Sequence, residues 1–300
     1  MRIEEHDTFI KVDNKYIKDV ENLLSDEELT ILTLITMNLT CKGLCTFTIT
    51  WLLDILHHAR SNNRKIKDIK TILQKLIDDN IIILYKNIIN IDENVIEDIN
   101  AIDKNDMIYC YIEDSDDFTI IYDKEILEVI HIAHKNNIDT YSLINFVLYI
   151  YSFINNNELD EDYKLCYPSL NKINDDTGLS ETTIIKYTEL LINNEIMLSD
   201  YAGYRETIKG KIRNGKMFYC RYQDKELLNK RINNYREKEG FIKQNKLSKD
   251  KSNMKRSIKQ IINKLNNKLD KNIITDNERI RLNLLLQEYS ELENRTTNEQ

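Results

Sequence analysis

The sequence predicts an α+β chain, mainly helical with small β-hairpins. It is laid out as two helix–turn–helix–hairpin units and a C-terminal helical hairpin or coiled coil. Three observations lead there. The stretch from Tyr167 to Tyr222 reads as helix, glycine turn, helix and hairpin. Residues 26–91 repeat that plan without clear residue-level identity. One proline and six glycines in 300 residues, with 41% apolar and 31% charged side chains, suit helices and short turns in a soluble globular protein. The expected domains are residues 1–100, 101–240 and 241–300.

The elements follow from local patterns. Phe9 to Tyr16 reads as a short extended or mixed segment. Ser25-Asp26-Glu27-Glu28 is a capping box and starts a helix running to about Leu39. Thr46 to Ile49 suits a brief strand or a helix lead-in, and Trp51 to His58 a helix capped by Thr50. Ile66, Ile69, Ile72, Leu73, Leu76 and Ile77 share one face of a helix over residues 64–79. Two apolar strands, Ile81–Tyr85 and Ile88–Ile91, flank Lys86-Asn87 as a hairpin. Asp92 to Asp106 is an acidic linker containing a short helix. Met107–Glu113 and Phe118–Tyr122 flank an Asp-rich turn and read as a second hairpin.

Lys124 to Lys135 is a helix with Ile126, Leu127, Val129, Ile130 and Ala133 inward. Thr140 to Ile154 is a strongly apolar core helix, and Asn155 to Asp162 an exposed loop. A short helix then begins near Leu170, Gly178 makes the turn, and Ser180 caps a helix to about Asn193. Ile184, Ile185, Leu190 and Leu191 are its core residues. Asn214-Gly215 marks the turn of the following hairpin. Lys225 to Glu239 is a charged helix and Gly240 to Asn253 a polar linker. Apolar residues from Ile258 to Leu269 and from Ile280 to Leu292, with a capping box at Thr275 to Glu278, form the helical hairpin. Asn294 to Gln300 reads as a disordered end.

Charge is unevenly distributed. Net charge is −8, but residues 1–200 carry 18 Lys and Arg against 37 Asp and Glu, while residues 201–300 carry 24 against 13. An acidic body with a basic segment is the asymmetry of a chain that meets a polyanion. The N-terminus lacks a signal-peptide core and no apolar run is long enough to span a bilayer, so no membrane partner is expected. Five scattered cysteines point to reduced thiols and a cytoplasmic location.

The chemistry-bearing residues point to DNA. In a helix-turn-helix, the N-terminal turns of the second helix enter the major groove with short or flexible hydrogen-bonding side chains. Ser180, Glu181, Thr182, Thr183, Lys186 and Tyr187 occupy that end. The hairpin carries Arg205, Lys209, Lys211, Arg213, Lys216 and Arg221 for phosphate, interleaved with aromatic residues. Arg64, Lys65, Lys67 and Lys70 offer a possible second DNA surface. Cys41-x3-Cys45 with His57-His58 matches no familiar zinc spacing, so neither metal nor cofactor is expected. Phosphate-binding, dinucleotide, nucleophile-elbow and metalloprotease motifs are all missing, which argues against an enzyme.

Residues Leu170…Ile173…Thr177-Gly178-Leu179-Ser180…Thr183-Ile184…Leu190-Leu191…Glu195-Ile196 resemble the winged helix-turn-helix superfamily. Tandem winged helix-turn-helix units with a helical C-terminal segment are similar to the layout of plasmid and phage replication initiators of low-GC Gram-positive bacteria, including the DnaD and RepA types. The resemblance is in layout over residues 1–240 and specific over 167–196. It implies sequence-specific binding of double-stranded DNA, recruitment of replication proteins and no catalysis. Self-association through the C-terminal helices is expected. A transcriptional or partition regulator of the same fold is one alternative, and a protein-interaction adaptor that binds no DNA is another.

Overall fold

Helix caps and short antiparallel ladders define the architecture. A computed structural model describes residues 8–18, 24–39, 43–89, 93–154, 164–206, 212–243, 246–271 and 273–297. Strand β1 (Phe9–Asp13) leads into one helical turn, α1 (Asn14–Ile17). Helix α2 (Asp26–Thr36) starts at the expected capping box: Ser25 Oγ accepts from the Glu28 amide at 3.3 Å, and Glu28 Oε2 accepts from the Ser25 amide at 2.9 Å. Next come β2 (Cys45–Phe47), α3 (Ile49–Ile55), α4 (Asn63–Asp78) and β3 (Ile82–Tyr85). A 3-10 turn at Ile99–Ala101 precedes β4 (Ile108–Ile112) and β5 (Phe118–Tyr122). The chain continues through α5 (Asp123–Lys135), α6 (Thr140–Tyr151), α7 (Leu170–Thr177) and α8 (Glu181–Asn193). Strands β6 (Met197–Tyr201), β7 (Tyr204–Glu206), β8 (Ile212–Asn214) and β9 (Met217–Arg221) follow. Helices α9 (Lys225–Glu239), α10 (Lys246–Asp270) and α11 (Asp276–Thr297) complete it. The class is α+β, mostly helical with small antiparallel sheets. Among the described residues no helix is long and apolar enough to cross a membrane.

Strand pairing departs from the local hairpin reading. Strand β3 pairs with β4, which also pairs with β2, giving the order β2-β4-β3. Ile88 and Ile89 lie outside any strand and are exposed, and residues 90–92 are outside those described. Strand β5 pairs with the distant β1, from Phe9↔Tyr122 to Asp13↔Phe118, rather than with β4. The reason is burial. Ile108 and Cys110 are fully buried, so β4 takes the central place, with a neighbour on each side. The Asp-rich turn instead carries the chain between sheets and is pinned by Asn14. The Asn14 amide donates to the Asp117 carbonyl at 2.9 Å, and Thr119 Oγ1 donates to Asn14 Oδ1 at 2.6 Å.

Smaller expectations also shift. Thr48, not Thr50, caps α3, its Oγ1 accepting from the Trp51 amide at 2.9 Å. Leu127 points outward while Ile132 is buried. Helix α10 begins at Lys246, inside the stretch read as a linker, and α11 runs to Thr297. The loop expected at 155–162 lies outside the described residues.

One structural order occurs twice. Helix α2, strand β2, helices α3 and α4, then β3 and β4 give the first copy. In the second, α6 is followed by an extended residue, Cys166, that pairs with Tyr219 of β9, then by α7, α8, β6 and β9. In both copies the last strand lies between the other two. The helix-to-strand corners match as well. Helix α4 ends on Asn80 at φ 56° with the Ile81 amide bonded to the Leu76 carbonyl, and α8 ends on Glu195 at φ 59° with Ile196 bonded to Leu191. This is the Schellman closure, made here without glycine.

Packing divides the chain into two units: residues 1–202 with 215–239, and residues 203–214 with 240–300. In the first, the larger core cluster runs from Ile10 to Tyr219, and α2 packs on α6, so both copies of the repeated order share it, while a smaller cluster joins Leu165, Ala202, Phe218 and Cys220 to Leu228 and Ile232 of α9. In the second, Ile258, Ile262, Leu265 and Leu282 join α10 to α11, and Glu278 completes the capping box with Thr275. Strands β7 and β8 pair in that unit, and Tyr204 exchanges backbone bonds with Ile242 at 3.0 and 2.8 Å.

Candidate nucleic-acid interface

The turn between α7 and α8 is stapled by short polar side chains. Ser169 Oγ caps α7 by accepting from the Lys172 amide at 3.1 Å. Gly178 closes that helix at φ 69°, a backbone conformation that suits glycine. Asn174 Nδ2 donates to the Leu179 carbonyl at 2.7 Å, and Thr177 Oγ1 accepts from the Leu179 amide at 3.3 Å. Ser180 Oγ then accepts from the Thr183 amide at 3.2 Å and sits 2.8 Å from Thr183 Oγ1.

This fixes which face of α8 points out. Ile184, Tyr187, Thr188 and Leu191 are buried, one turn apart along the helix. Ser180, Glu181, Thr182 and Lys186 are exposed, and Thr183 is half-buried beside its cap. Two assignments change. Tyr187, expected at the DNA-facing end, is 5% exposed and packs edge-on against Phe146 at 5.9 Å. Ile185, expected in the core, is 46% exposed and shares the outward face with Glu181 and Lys186. The 184/187/188/191 spacing held that signal, because a helix burying those positions turns 185 outward.

The basic residues of the β6–β9 region divide into three groups. Lys209 and Lys211 lie outside the described residues. Arg213 and Lys216 are exposed. Asn214-Gly215 is not the hairpin tip: β8 ends at Asn214, and Lys216 bonds back to the Ala202 amide through its carbonyl at 2.9 Å. The antiparallel pair at this hairpin is β7 with β8, Tyr204–Glu206 against Ile212–Asn214. In the ribbon of β7 and β8, Arg205 stands directly opposite Arg213, its guanidinium carbon 5.1 Å from the Phe241 ring centre.

Arg221 is no surface cation. It is 3% exposed, its Nη1 lies 2.5 Å from Glu125 Oε2, and its Nη2 donates to the Ile120 carbonyl. Its guanidinium lies 4.0 Å from the Tyr151 ring centre, which rules out a phosphate contact in this conformation. Burial works against its charge, but Glu125 and Tyr151 outweigh that and hold its pKa above the ordinary arginine value. Sequence reasoning missed a partner of this region on α9. Arg236 donates to the carbonyls of Ala202 at 3.0 Å and Tyr201 at 2.8 Å, and lies 3.4 Å from Asp200, bracing the end of β6.

The basic edge of α4 is narrower than its sequence suggests. Arg64 and Lys67 are exposed. Lys65 is 3.6 Å from Asp68, and Lys70 Nζ donates to the Ile102 carbonyl at 2.6 Å and the Asn100 carbonyl at 3.3 Å. Lys70 thus closes the 3-10 turn instead of facing solvent. The Cys/His set is dispersed. Cys45 sits opposite Cys110, where burial pushes its thiol up to about 11, and the His57 ring lies 4.5 Å from that of His134. Cys41 lies outside the described residues. No known protein family matches the chain, and no curated protein matches it in sequence.

Proposed function

We propose that this chain binds double-stranded DNA through two winged helix-turn-helix units, with α8 as a recognition helix and the β7–β8 ribbon as a wing. The observation that carries the reading is Arg205 directly opposite Arg213 on that ribbon. Two guanidinium groups at facing positions of one ribbon concentrate positive charge, and the guanidinium fork fits phosphate oxygens in pairs. The outward face of α8 supports the same reading, since Thr182 and Lys186 are short or flexible hydrogen-bonding groups suited to base edges. The repeated order of elements supports a second such unit, in which Arg64 and Lys67 are the exposed cations.

On the layout described above, the role is replication initiation on a plasmid or phage, with replication proteins as further partners. Ile280, Leu284 and Leu286 are exposed on α11 and favour self-association through the C-terminal helices. The test is selection of bound fragments from the genome that encodes the chain, at about 150 mM salt, where binding to phosphate alone is weakened. Enrichment of a narrow set containing clustered repeats is expected. Recovery indistinguishable from bulk DNA contradicts sequence-specific binding.

A further inference from the structure

A groove of about 770 Å³ opens between the residues preceding α7, the start of β9 and the second half of α9. Its wall is a chain of aromatic rings. Tyr167 lies 5.7 Å from Phe218, and Phe218 lies 5.4 Å from Tyr235, centre to centre. Lys172, Lys216 and Lys238 line the same space. Lys216 Nζ sits 3.8 Å from the Tyr167 ring centre and 5.9 Å from that of Tyr235. Lys172 is matched by Asp176 at 2.8 Å. Among the described residues, neither Lys216 nor Lys238 forms an ion pair. Tyr167 is 54% exposed, so a large ring is held at the mouth of the groove rather than in a core.

We propose that this groove binds a nucleobase together with its attached phosphate, the chemistry shared by single-stranded nucleic acid and a free nucleotide. Aromatic faces accept any base, because every base has a π-face, and flanking cations track the phosphate. A lysine resting on a ring can exchange that contact for a phosphate oxygen and leave the ring face to the base. The groove is separate from the α8 face: none of Thr182, Ile185 or Lys186 lines it. It therefore does not depend on the duplex reading.

The test is fluorescence anisotropy with a labelled oligothymidylate of about ten nucleotides, and with ATP as competitor. Tyr167→Ala is expected to weaken binding about tenfold, and Tyr167→Phe to leave it near wild type. Lys216→Ala with Lys238→Ala is expected to weaken it and flatten its salt dependence. Matching thermal melts establish that the variants are folded. Displacement by ATP identifies a nucleotide site, and binding of the oligomer alone identifies a strand site; either supports the groove. Failure to bind both ligands, or binding indifferent to Tyr167→Ala and to the double lysine variant, overturns it. A chain that fails on duplex DNA but binds oligothymidylate through Tyr167 removes the duplex reading and leaves this one standing.

Discussion

Arg221 Nη1 and Glu125 Oε2 lie 2.5 Å apart with both side chains almost wholly buried, joining the last strand of the second repeated unit to the first turn of α5. Glu125 is committed on both oxygens. Oε2 also accepts from the Tyr122 amide at 3.0 Å, and Oε1 lies 3.0 Å from the Tyr151 hydroxyl. The same hydroxyl is 3.1 Å from the Ile196 carbonyl, at the corner where α8 turns into β6. One carboxylate thus fixes a helix cap, a strand and the end of the candidate recognition helix.

Removing one partner of a buried pair leaves the other charged and dry. Arg221→Ala is expected to cost about 3–5 kcal/mol in urea unfolding, far more than loss of a surface cation. Pairing it with Glu125→Leu is expected to recover much of that loss, because the stranded carboxylate is gone. A single variant as stable as wild type contradicts the buried-pair account.

Gly203 stands at φ 103°, and a Cβ there would meet the Ile242 carbonyl oxygen at 2.1 Å. Backbone cannot yield as a flexible side chain does, so Gly203→Ala is expected to break the exchange between Tyr204 and Ile242. Hydrogen exchange at those two amides should speed up by roughly tenfold or more, while amides in α6 keep their protection. Unchanged exchange at Tyr204 contradicts the close approach.

Glu28 carries a pH-dependent part of the stability. Its burial raises the carboxyl pKa, but Lys75 Nζ at 2.8 Å and the Ser25 amide outweigh this and hold it below the ordinary 4.5. A group depressed on folding stabilises the protein above its unfolded pKa, and that contribution fades as pH falls through the folded value. Stability should therefore drop below about pH 4.5, and Glu28→Gln should flatten that limb. Lys75→Met should shift the limb to higher pH. Identical acid profiles in wild type and Glu28→Gln contradict the assignment.

Local order was legible in the sequence and distant pairing was not. The capping boxes at Ser25 and Thr275, the Ser180 cap, the Gly178 turn and helix α9 all follow from residues within a few positions of one another. Strand partners do not: β5 pairs with β1, more than a hundred residues away, and β4 takes the central place with Ile108 and Cys110 of one face fully buried. The candidate site was half legible. Spacing alone turns Tyr187 inward and Ile185 outward, whereas Arg221 looks like any other cation of a basic stretch. Its carboxylate partner lies on α5, 96 residues earlier.

Phosphate contact by the β7–β8 ribbon, and contact by α8, are each read from titration of a selected duplex across salt. With Arg221 withdrawn, about five cations remain, and affinity should fall between about 50 and 200 mM salt with a log–log slope of roughly −4 to −5. Arg213→Ala should reduce that slope by about one, and adding Lys186→Ala should weaken binding further. A nearly flat salt dependence, or a double variant that binds as wild type does, contradicts the claim.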